Sequence, residues 1–226
     1  MKYIIMCGGE YPYYETPRWL TEVCGEPIVK RTIRLLKENG VDDIAISTTH
    51  KGFKKFGVPI LKHKNEFNAY KRESFWVDAF YPVDDPVCYI FGDVVFSPNA
   101  IKTIIDYSVD DVMFFASGLY SFSVFYTKPW AEPFAFKVKD VDYFFKCIEI
   151  TKEYDRRKMF LRQPVSWELW QVIRNTTLND IKYNYVGIND YTCDIDHPED
   201  AEKIEEMIYK YELSTHHMTG YSTSKK

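Results

Sequence analysis

The sequence predicts an α/β fold built on a mixed, mostly parallel sheet that is flanked by helices. The main observation is that short apolar runs, typical of buried strands, alternate with segments of helical periodicity through residue 116. The first and central runs also end at glycines, Gly8-Gly9 and Gly92, as strands do where the chain turns at a sheet edge. Beyond residue 116 the pattern changes to paired strands followed by helices.

The apolar runs predict the strands. The runs through residue 116 are short and almost wholly apolar, as expected for strands covered on both faces. In chain order they are Tyr3–Met6, Ile44–Ser47, Val58–Leu61, Val87–Phe91, Val112–Ala116, Phe122–Tyr126, Phe134–Val138 and Ile181–Val186.

Helical spacing and capping residues predict the helices. A helix beginning near Ile28 closes at Asn39-Gly40, and Ser97-Pro98 opens another because serine caps well and proline fits the first turn. The other predicted helices are Ser74–Tyr81, Val141–Ile150, Trp167–Ile173 and Pro198–Tyr211. The stretch after residue 212 has little to bury, so we expect residues 213–226 to form a flexible tail.

Composition excludes several classes of protein. The net charge of -4 gives no basic field for a nucleic acid, and no apolar run is long enough to span a membrane. The five cysteines have no metal-like spacing and three lie in apolar runs, which indicates free thiols in a reducing compartment. The apolar start is too short for a signal peptide. We therefore expect a soluble, cytoplasmic protein.

Two features fall at the edge where parallel sheets bind ligands, beyond the carboxyl ends of strands. Gly8 and Gly9 follow the first strand, and their backbone N–H groups could approach phosphate oxygens closely, although a glycine pair can equally form a tight turn. Asp93 follows the central strand and could hold a divalent cation against a phosphate, or simply cap a turn.

A third feature is the segment CDIDHPED, which places Asp194 and Asp196 two residues apart just before a predicted helix. In an extended segment both carboxylates point to the same side. Asp196 could bind metal, cap the helix, or do both.

Three segments resemble one family in the same order along the chain: YIIMCGG…TPRWLTEVCGEPIVKRTIRLLKENGVDDIAIST, CYIFGDVVFS and CDIDHPEDAEKI. Together they are similar to the nucleotidyltransferases with a three-layer, glycosyltransferase-A-like Rossmann fold, which join an NTP to a phosphorylated small molecule. The last segment resembles the Asp-x-Pro-Glu-Asp ending of the cytidylyl members, which favours CTP.

The resemblance implies roles for particular residues. Cys7, Gly8 and Gly9 would lie against the nucleotide, and Arg18 would replace the loop lysine that contacts its phosphates. Asp93 and Asp196 would be the Mg²⁺ ligands, with Asp194 as a third candidate. The residues assigned to catalysis are thus Arg18, Asp93 and Asp196.

The first loop departs from the family pattern. The family often has Gly-x-Gly-[Thr/Ser]-Arg after the first strand, whereas Gly9 is followed here by EYPYYETPR. Arg18 would then carry more of the triphosphate binding, with a forked guanidinium in place of a lysine point charge. A non-catalytic nucleotide-binding relative is therefore a standing alternative.

The second half of the chain would supply the acceptor site, by the same resemblance. Glu132, Lys137, Trp167 and Glu168 are candidates there, although Trp167 and Trp170 have the spacing of core residues on a helix. If several tryptophans lined the pocket, a cationic acceptor such as a choline-like phosphate would be favoured. Ser74 is a looser candidate for contact with the base or ribose.

The predicted organisation is one nucleotidyltransferase domain over residues 1–212. Its nucleotide-binding part would cover about residues 1–118 and its acceptor-binding part about 119–212, and a homodimer is left open. The competing enzyme class is a glycosyltransferase of the same fold, for which Asp140-Val141-Asp142 offers a literal Asp-x-Asp. That motif sits where a helix should begin, so it is interpreted as a cap.

Overall fold

The computed structural model describes residues 1–9, 14–65, 74–118, 131–178 and 184–220, with side chains through Leu213. The strands are β1 (Lys2–Met6), β2 (Glu22–Val23), β3 (Glu26–Pro27), β4 (Ile44–Ser47), β5 (Ile60–Leu61), β6 (Val87–Phe91), β7 (Val94–Val95), β8 (Val112–Ser117), β9 (Pro133–Val138), β10 (Val186–Ile188) and β11 (Cys193–Asp194). The helices are α1 (Ile28–Glu38), α2 (Pro98–Asp106), α3 (Val141–Arg156), α4 (Ser166–Ile173) and α5 (Asp200–Gly220), with 3₁₀ turns at Arg18–Leu20, Lys51–Phe56 and Trp76–Ala79.

A seven-stranded sheet organises the molecule, in the order β10-β8-β9-β6-β1-β4-β5. Strand β9 runs antiparallel to both of its neighbours, β6 and β8, while the other pairings are parallel. The mixed, mostly parallel sheet with flanking helices is the predicted fold class, which is confirmed. The pairing of Met6 with Phe91 and with Ser47 aligns the carboxyl ends of β1, β4 and β6, and this common end is referred to below as the ligand edge.

Aromatic side chains fill much of the main core. Phe80 meets Tyr89, Phe136 and Phe144 edge-on, with ring centroids 5.0–5.5 Å apart. Such edge-to-face contacts add to the stabilisation from apolar burial alone. The high aromatic content of the sequence is therefore used largely in packing.

A smaller apolar cluster lies beside the ligand edge and is referred to below as the α5 cluster. It packs helix α5 against the short strands β2, β7 and β11, and its members include Val23, Val95, Cys193, Ile195 and Ile204. This cluster fixes the segment that carries Asp196 against the segment that follows β6.

Several boundaries match the prediction closely. Strands β4 and β6 have the predicted limits, and Ser97 caps α2 by accepting a hydrogen bond from the amide nitrogen of Ala100 at 2.9 Å. The predicted strand at Phe122–Tyr126 and the first half of the one at Ile181–Val186 lie outside the described residues, and the strand observed there, β10, begins only at Val186.

Two helix predictions need correction. The segment Ser74–Tyr81 contains only the 3₁₀ turn at Trp76–Ala79, because its aromatic residues pack in several directions instead of along one helical face. Helix α5 begins at Asp200 and continues to Gly220, beyond the predicted end at Tyr211. The flexible tail predicted for residues 213–226 stays a prediction, since residues 221–226 lie outside the described part of the chain.

In the described part of the chain, no helix combines the length and the apolar character needed to cross a lipid bilayer.

Candidate active site

Backbone pairing brings Asp93 and Asp196 together at the ligand edge. After β6 the chain turns through Gly92 and Asp93 into β7, which pairs antiparallel with β11. One residue beyond the ladder, the amide nitrogen of Ile195 donates to the carbonyl oxygen of Asp93 at 2.8 Å. The two candidate metal ligands are thus held by a small sheet, although they lie far apart in the sequence.

The guanidinium of Arg18 lies between the two carboxylates. Its Nη2 donates to Oδ2 of Asp93, and its Nη1 donates to Oδ1 of Asp196 at 3.2 Å. Nη1 also donates to the carbonyl oxygen of Ile195 at 2.9 Å. The Arg18 side chain is only 5% exposed, against 19% for Asp93 and 42% for Asp196, so the three residues form one largely covered ionic cluster.

The turn that carries Arg18 is held down by its neighbour Trp19. Trp19 is buried and packs over Gly92, where an added Cβ would come within 2.9 Å of the indole Cδ1. The absence of a side chain at Gly92 therefore allows Trp19 to approach, and this places Arg18 over Asp93.

Asp200 shapes the segment around Asp196. Its Oδ2 accepts hydrogen bonds from the amide nitrogens of Asp196 at 3.1 Å and of His197 at 2.8 Å. Asp200 is itself buried and opens α5. Helix α5 begins at Asp200, four residues after Asp196, so Asp196 does not stand at the N-cap position that the alternative gave it.

A second buried carboxylate, Asp190, fixes the start of the same segment. Its Oδ2 accepts from the Ser97 hydroxyl at 2.6 Å, and its Oδ1 accepts from the amide nitrogen of Thr192 at 2.8 Å. Because Ser97 also caps α2, this network ties the approach to β11 to a helix of the main sheet. Neither Asp190 nor Asp200 was predicted.

The first glycine loop opens at the same edge. A Cβ built on Gly8 would have Cβ of Asn65, at 3.7 Å, as its nearest neighbour among the described residues, which is an ordinary van der Waals distance. A pocket of about 210 Å³ lies next to it, lined by Gly9, Tyr14, Glu15, Thr16, Pro17, Arg18, Trp19 and His50. Gly9 and Arg18, both predicted to contact a nucleotide, thus share one pocket.

Cys7 is placed differently from the glycines that follow it. Its side chain is fully buried and its amide nitrogen donates to the carbonyl oxygen of Ser47 at 2.9 Å. Burial raises the pKa of the Cys7 thiol well above its ordinary value, and the charge of Asp93 raises it further. The structure therefore makes Cys7 a neutral residue beneath the cluster.

His50 is a pocket residue that sequence reasoning missed. Its Nε2 lies 3.1 Å from the carbonyl oxygen of Gly9, and because a carbonyl only accepts, Nε2 is the donor. The imidazole also packs on Trp19, with ring centroids 5.4 Å apart. Its position just after β4, at the carboxyl end of a parallel strand, was the available signal.

The donor set around Asp93 and Asp196 fits a magnesium ion. Carboxylate oxygens are ligands that Mg²⁺ prefers, and it commonly binds one or two of them together with substrate phosphates and water. The two carboxylates already converge on a single cation, the guanidinium of Arg18. Within the described ranges, no group of three or more His, Cys, Asp or Glu residues is arranged to hold a metal, so Asp194 does not complete such a group.

Glu132 is the predicted acceptor residue that lies at the ligand edge. It immediately precedes β9, whose first residues pair with the last residues of β6. Its side chain is buried. The pKa of Cys193 on β11 is raised mainly by the burial of that thiol, and the charge of Glu132 raises it further. Glu132 is therefore a buried residue beside the ligand edge, near Cys193 of β11.

The structure does not bring Lys137 to this edge. Lys137 pairs with Cys88 near the other end of β6, and its Nζ donates to the carbonyl oxygens of Ile104, Ile105 and Tyr107 at 2.7–2.9 Å. These carbonyls belong to the last turn of α2 and the residue that follows it. Lys137 thus stabilises the carboxyl end of a helix, a favourable position for a cation.

The predicted α4 residues are buried. Trp167 donates from Nε1 to the carbonyl oxygen of Ala131 at 2.7 Å. The guanidinium of Arg174 stacks over the Trp170 ring, 5.2 Å from the ring centroid. The carboxylate of Glu168 accepts from Nε of Arg162 and from the amide nitrogen of Val165. These contacts favour a packing role, and the tryptophans give no support for an exposed aromatic pocket for a cationic acceptor.

Ser74 is half-buried at the start of a described range, and its carbonyl oxygen accepts from Nε2 of Gln163 at 3.1 Å. The preceding residues 66–73 lie outside the described ranges.

No protein-family model matches the chain, and no curated protein matches it. Solved structures do share its fold. One is the inositol-1-phosphate CTP transferase of T. maritima, with a TM-score of 0.51 and 15% identity over 93% of this chain and 95% of that one. Another is the 4-diphosphocytidyl-2C-methyl-D-erythritol synthase of Anaerococcus prevotii, with a TM-score of 0.52 and 14% identity over 92% and 95% of the two chains.

A third is a Bacillus anthracis protein described as a glucose-1-phosphate thymidylyltransferase, with a TM-score of 0.52 and 16% identity over 91% of this chain and 94% of that one. The chain has the fold of these nucleotidyltransferases. These three proteins are nucleotidyltransferases, the class that the sequence resembles. Each alignment covers 91–93% of this chain, so the shared fold extends over nearly its whole length.

Proposed function

We propose that this chain is a nucleotidyltransferase that transfers a nucleotidyl group from an NTP to a phosphorylated small molecule and releases pyrophosphate. The observation that supports this most directly is the meeting of Asp93 and Asp196 around Arg18, next to the Gly8-Gly9 loop. The acceptor would be a sugar, alcohol or amino-acid-like phosphate. CTP is favoured by the Asp-x-Pro-Glu-Asp-like segment, and a precursor of a surface polysaccharide is a fitting product.

The reaction requires no nucleophile from the protein. A phosphate oxygen of the acceptor forms a bond to the α-phosphorus of the NTP, and the bond from that phosphorus to the bridging oxygen of the β-phosphate breaks. Pyrophosphate leaves with the bonding electron pair. Catalysis then depends on in-line positioning and on neutralising the charge of the phosphates.

The residues at the ligand edge suit these tasks. A Mg²⁺ ion held by Asp93 and Asp196 would supply positive charge at the phosphates. Arg18 lines the pocket and offers a forked donor for phosphate oxygens. The wide spacing of the described atoms around Gly8 would suit a phosphate close to this backbone, and Glu132 remains the candidate for orienting the acceptor.

The test is pyrophosphate release with Mg²⁺, with CTP, UTP, GTP, ATP and dTTP each run against a panel of phosphorylated sugars, alcohols and amino acids. For the active pair, Asp93→Asn and Asp196→Asn should each lower the rate about a hundredfold or more, because a metal ligand is lost. Asp140→Asn is the matched control, since Asp140 caps α3 by accepting from the amide nitrogen of Tyr143.

The control also addresses the glycosyltransferase alternative. Asp140 comes two residues after Val138, the last residue of β9, which pairs with Val87 at the start of β6, so Asp140-x-Asp142 lies at the sheet edge opposite Asp93. A rate that fell with Asp140→Asn and not with Asp93→Asn would contradict the proposal. Thermal stabilisation by an NTP without any release of pyrophosphate would favour the non-catalytic alternative.

A further inference from the structure

The carboxylate pair proposed to hold metal is already bridged by a cation of the protein. Nη2 of Arg18 donates to Asp93, while Nη1 donates to Asp196, so each carboxylate gives an oxygen to the same guanidinium. The arginine is nearly fully covered, whereas both aspartates keep some exposure to solvent. Arg18 therefore occupies the inner side of the pair.

A metal ion and this guanidinium compete for the same space. Mg²⁺ sits about 2.0–2.1 Å from its oxygen ligands, so an ion bound by both aspartates would lie close to the carboxylate oxygens that now accept from Arg18. Two cations on one carboxylate pair would also repel each other strongly, because the site is partly shielded from water. The arrangement seen for Arg18 cannot persist unchanged once a divalent ion bridges Asp93 and Asp196.

We propose that Arg18 and a divalent cation are alternative occupants of the Asp93–Asp196 pair, so that metal entry displaces the arginine side chain. Without metal, the guanidinium neutralises two carboxylates that would otherwise repel each other. This regulation of the site rests on the proposed function, because the released guanidinium borders the pocket in which the triphosphate would lie. Arg18 is then delivered to the phosphates by the same event that brings in their metal.

Metal binding without substrate provides the direct test. Mn²⁺ is titrated into the folded wild-type protein and into Arg18→Met, and the free ion is followed by electron paramagnetic resonance. Removal of the competing charge should tighten Mn²⁺ binding by about tenfold or more, a factor that corresponds to about 1.4 kcal/mol. Unchanged or weaker binding in a folded Arg18→Met protein would overturn the proposal.

Arg34→Met is the matched control. Arg34 also bridges two carboxylates, with Nη2 2.8 Å from Glu26 and Nη1 3.0 Å from Glu38, but on the exposed side of α1. Its removal should leave tight Mn²⁺ binding unchanged. The double variant Arg18→Met with Asp93→Asn should lose tight binding, which would locate the ion at the pair.

Thermal unfolding gives a second readout. The metal-free Arg18→Met protein should melt below wild type and regain more stability from added Mn²⁺ than wild type does. Should Arg18→Met fail to fold, Arg18→Lys carries the test. A lysine ammonium cannot contact both carboxylates through two separate nitrogens as the guanidinium does. Mn²⁺ should therefore still bind Arg18→Lys more tightly than wild type, and equal binding would overturn the proposal.

The two proposals can fail separately. The Mn²⁺ titration contains no nucleotide or acceptor, so its outcome does not depend on turnover. Competition between Arg18 and Mn²⁺ with no pyrophosphate release across the substrate panel would count against the proposed function alone. Pyrophosphate release with no effect of Arg18→Met on Mn²⁺ affinity would count against the exchange alone.

Discussion

The amide nitrogen of Ile195 donates to the carbonyl oxygen of Asp93 at 2.8 Å, and this backbone hydrogen bond joins the two segments that carry the proposed metal ligands. It extends the ladder between β7 and β11, which the α5 cluster covers with apolar side chains. The separation of the carboxylates is therefore set by regular structure. Changes that disturb this ladder should affect function even where they touch no substrate.

Asp200→Ala should weaken the site through the backbone of Asp196. The substitution leaves the amide nitrogens of Asp196 and His197 without their carboxylate acceptor. We expect the free energy of unfolding to fall by about 1–3 kcal/mol, because these part-buried donors lose their charged acceptor. The rate of pyrophosphate release should also fall, because the Asp196 carboxylate loses its fixed position, and both quantities can be measured on one preparation.

Glu199→Ala is the control for this experiment, since Glu199 is the exposed neighbour of Asp200 in sequence. Its unfolding free energy should stay within about 0.5 kcal/mol of wild type. An Asp200→Ala protein with wild-type stability and rate would show that the carboxylate does not position Asp196.

Gly92→Ala should destabilise the fold because the glycine lies against backbone. A Cβ there would meet the carbonyl oxygen of Met6 at 2.5 Å and Sγ of Cys7 at 2.6 Å, and a backbone carbonyl cannot move aside cheaply. Overpacking of this kind costs about 1–3 kcal/mol. Urea denaturation of the variant measures the loss, and a midpoint equal to that of wild type would contradict the expected clash.

Gly8→Ala is predicted to behave differently from Gly92→Ala. Among the described residues, the atom nearest to its new Cβ would be 3.7 Å away, so the unfolding free energy should change by less than about 1 kcal/mol. If a phosphate approaches the backbone at Gly8, the added methyl group should still reduce thermal stabilisation by an NTP. Full stabilisation by the NTP would argue against that approach.

Much of the fold could be predicted because the signals are local. The run Val87–Phe91 is apolar throughout and ends at glycine, and both the strand and its limits were confirmed. The segment Ser74–Tyr81 failed for the opposite reason. Its aromatic residues gave a short, ambiguous periodicity, and Phe80 in fact packs against rings from β6, β9 and α3. Tertiary packing decided the local structure there.

The site was predictable in part. Arg18, Asp93 and Asp196 were selected from motifs, and the structure brings all three together. The direct pairing of arginine with both aspartates was not predicted, because it depends on how the turn at residues 18–20 lies over Gly92. Positioning residues such as Asp200 and His50 carry no motif, and their roles emerge only from distances in the folded chain.

Lys137→Met tests whether Lys137 serves the acceptor or the fold. The ammonium group donates to three carbonyl oxygens at the end of α2, and methionine keeps an unbranched side chain one atom shorter while removing every donor. We expect the unfolding free energy to fall by about 1–3 kcal/mol, since partners of a buried charged group are left unsatisfied. Pyrophosphate release, measured where the variant is folded, should keep the wild-type rate and KM for the acceptor.

The control is Lys139→Met, which removes an exposed lysine two residues away and should leave stability and rate unchanged.

The pH dependence of stability offers a further check, because burial lowers the pKa of Lys137 below its ordinary 10.5. Between the lowered pKa and 10.5 the unfolded chain binds more protons than the folded one, so this group makes unfolding less favourable as the pH rises. In Lys137→Met this rise of the unfolding free energy with pH should be absent. A raised acceptor KM with unchanged stability would instead place Lys137 in the acceptor site.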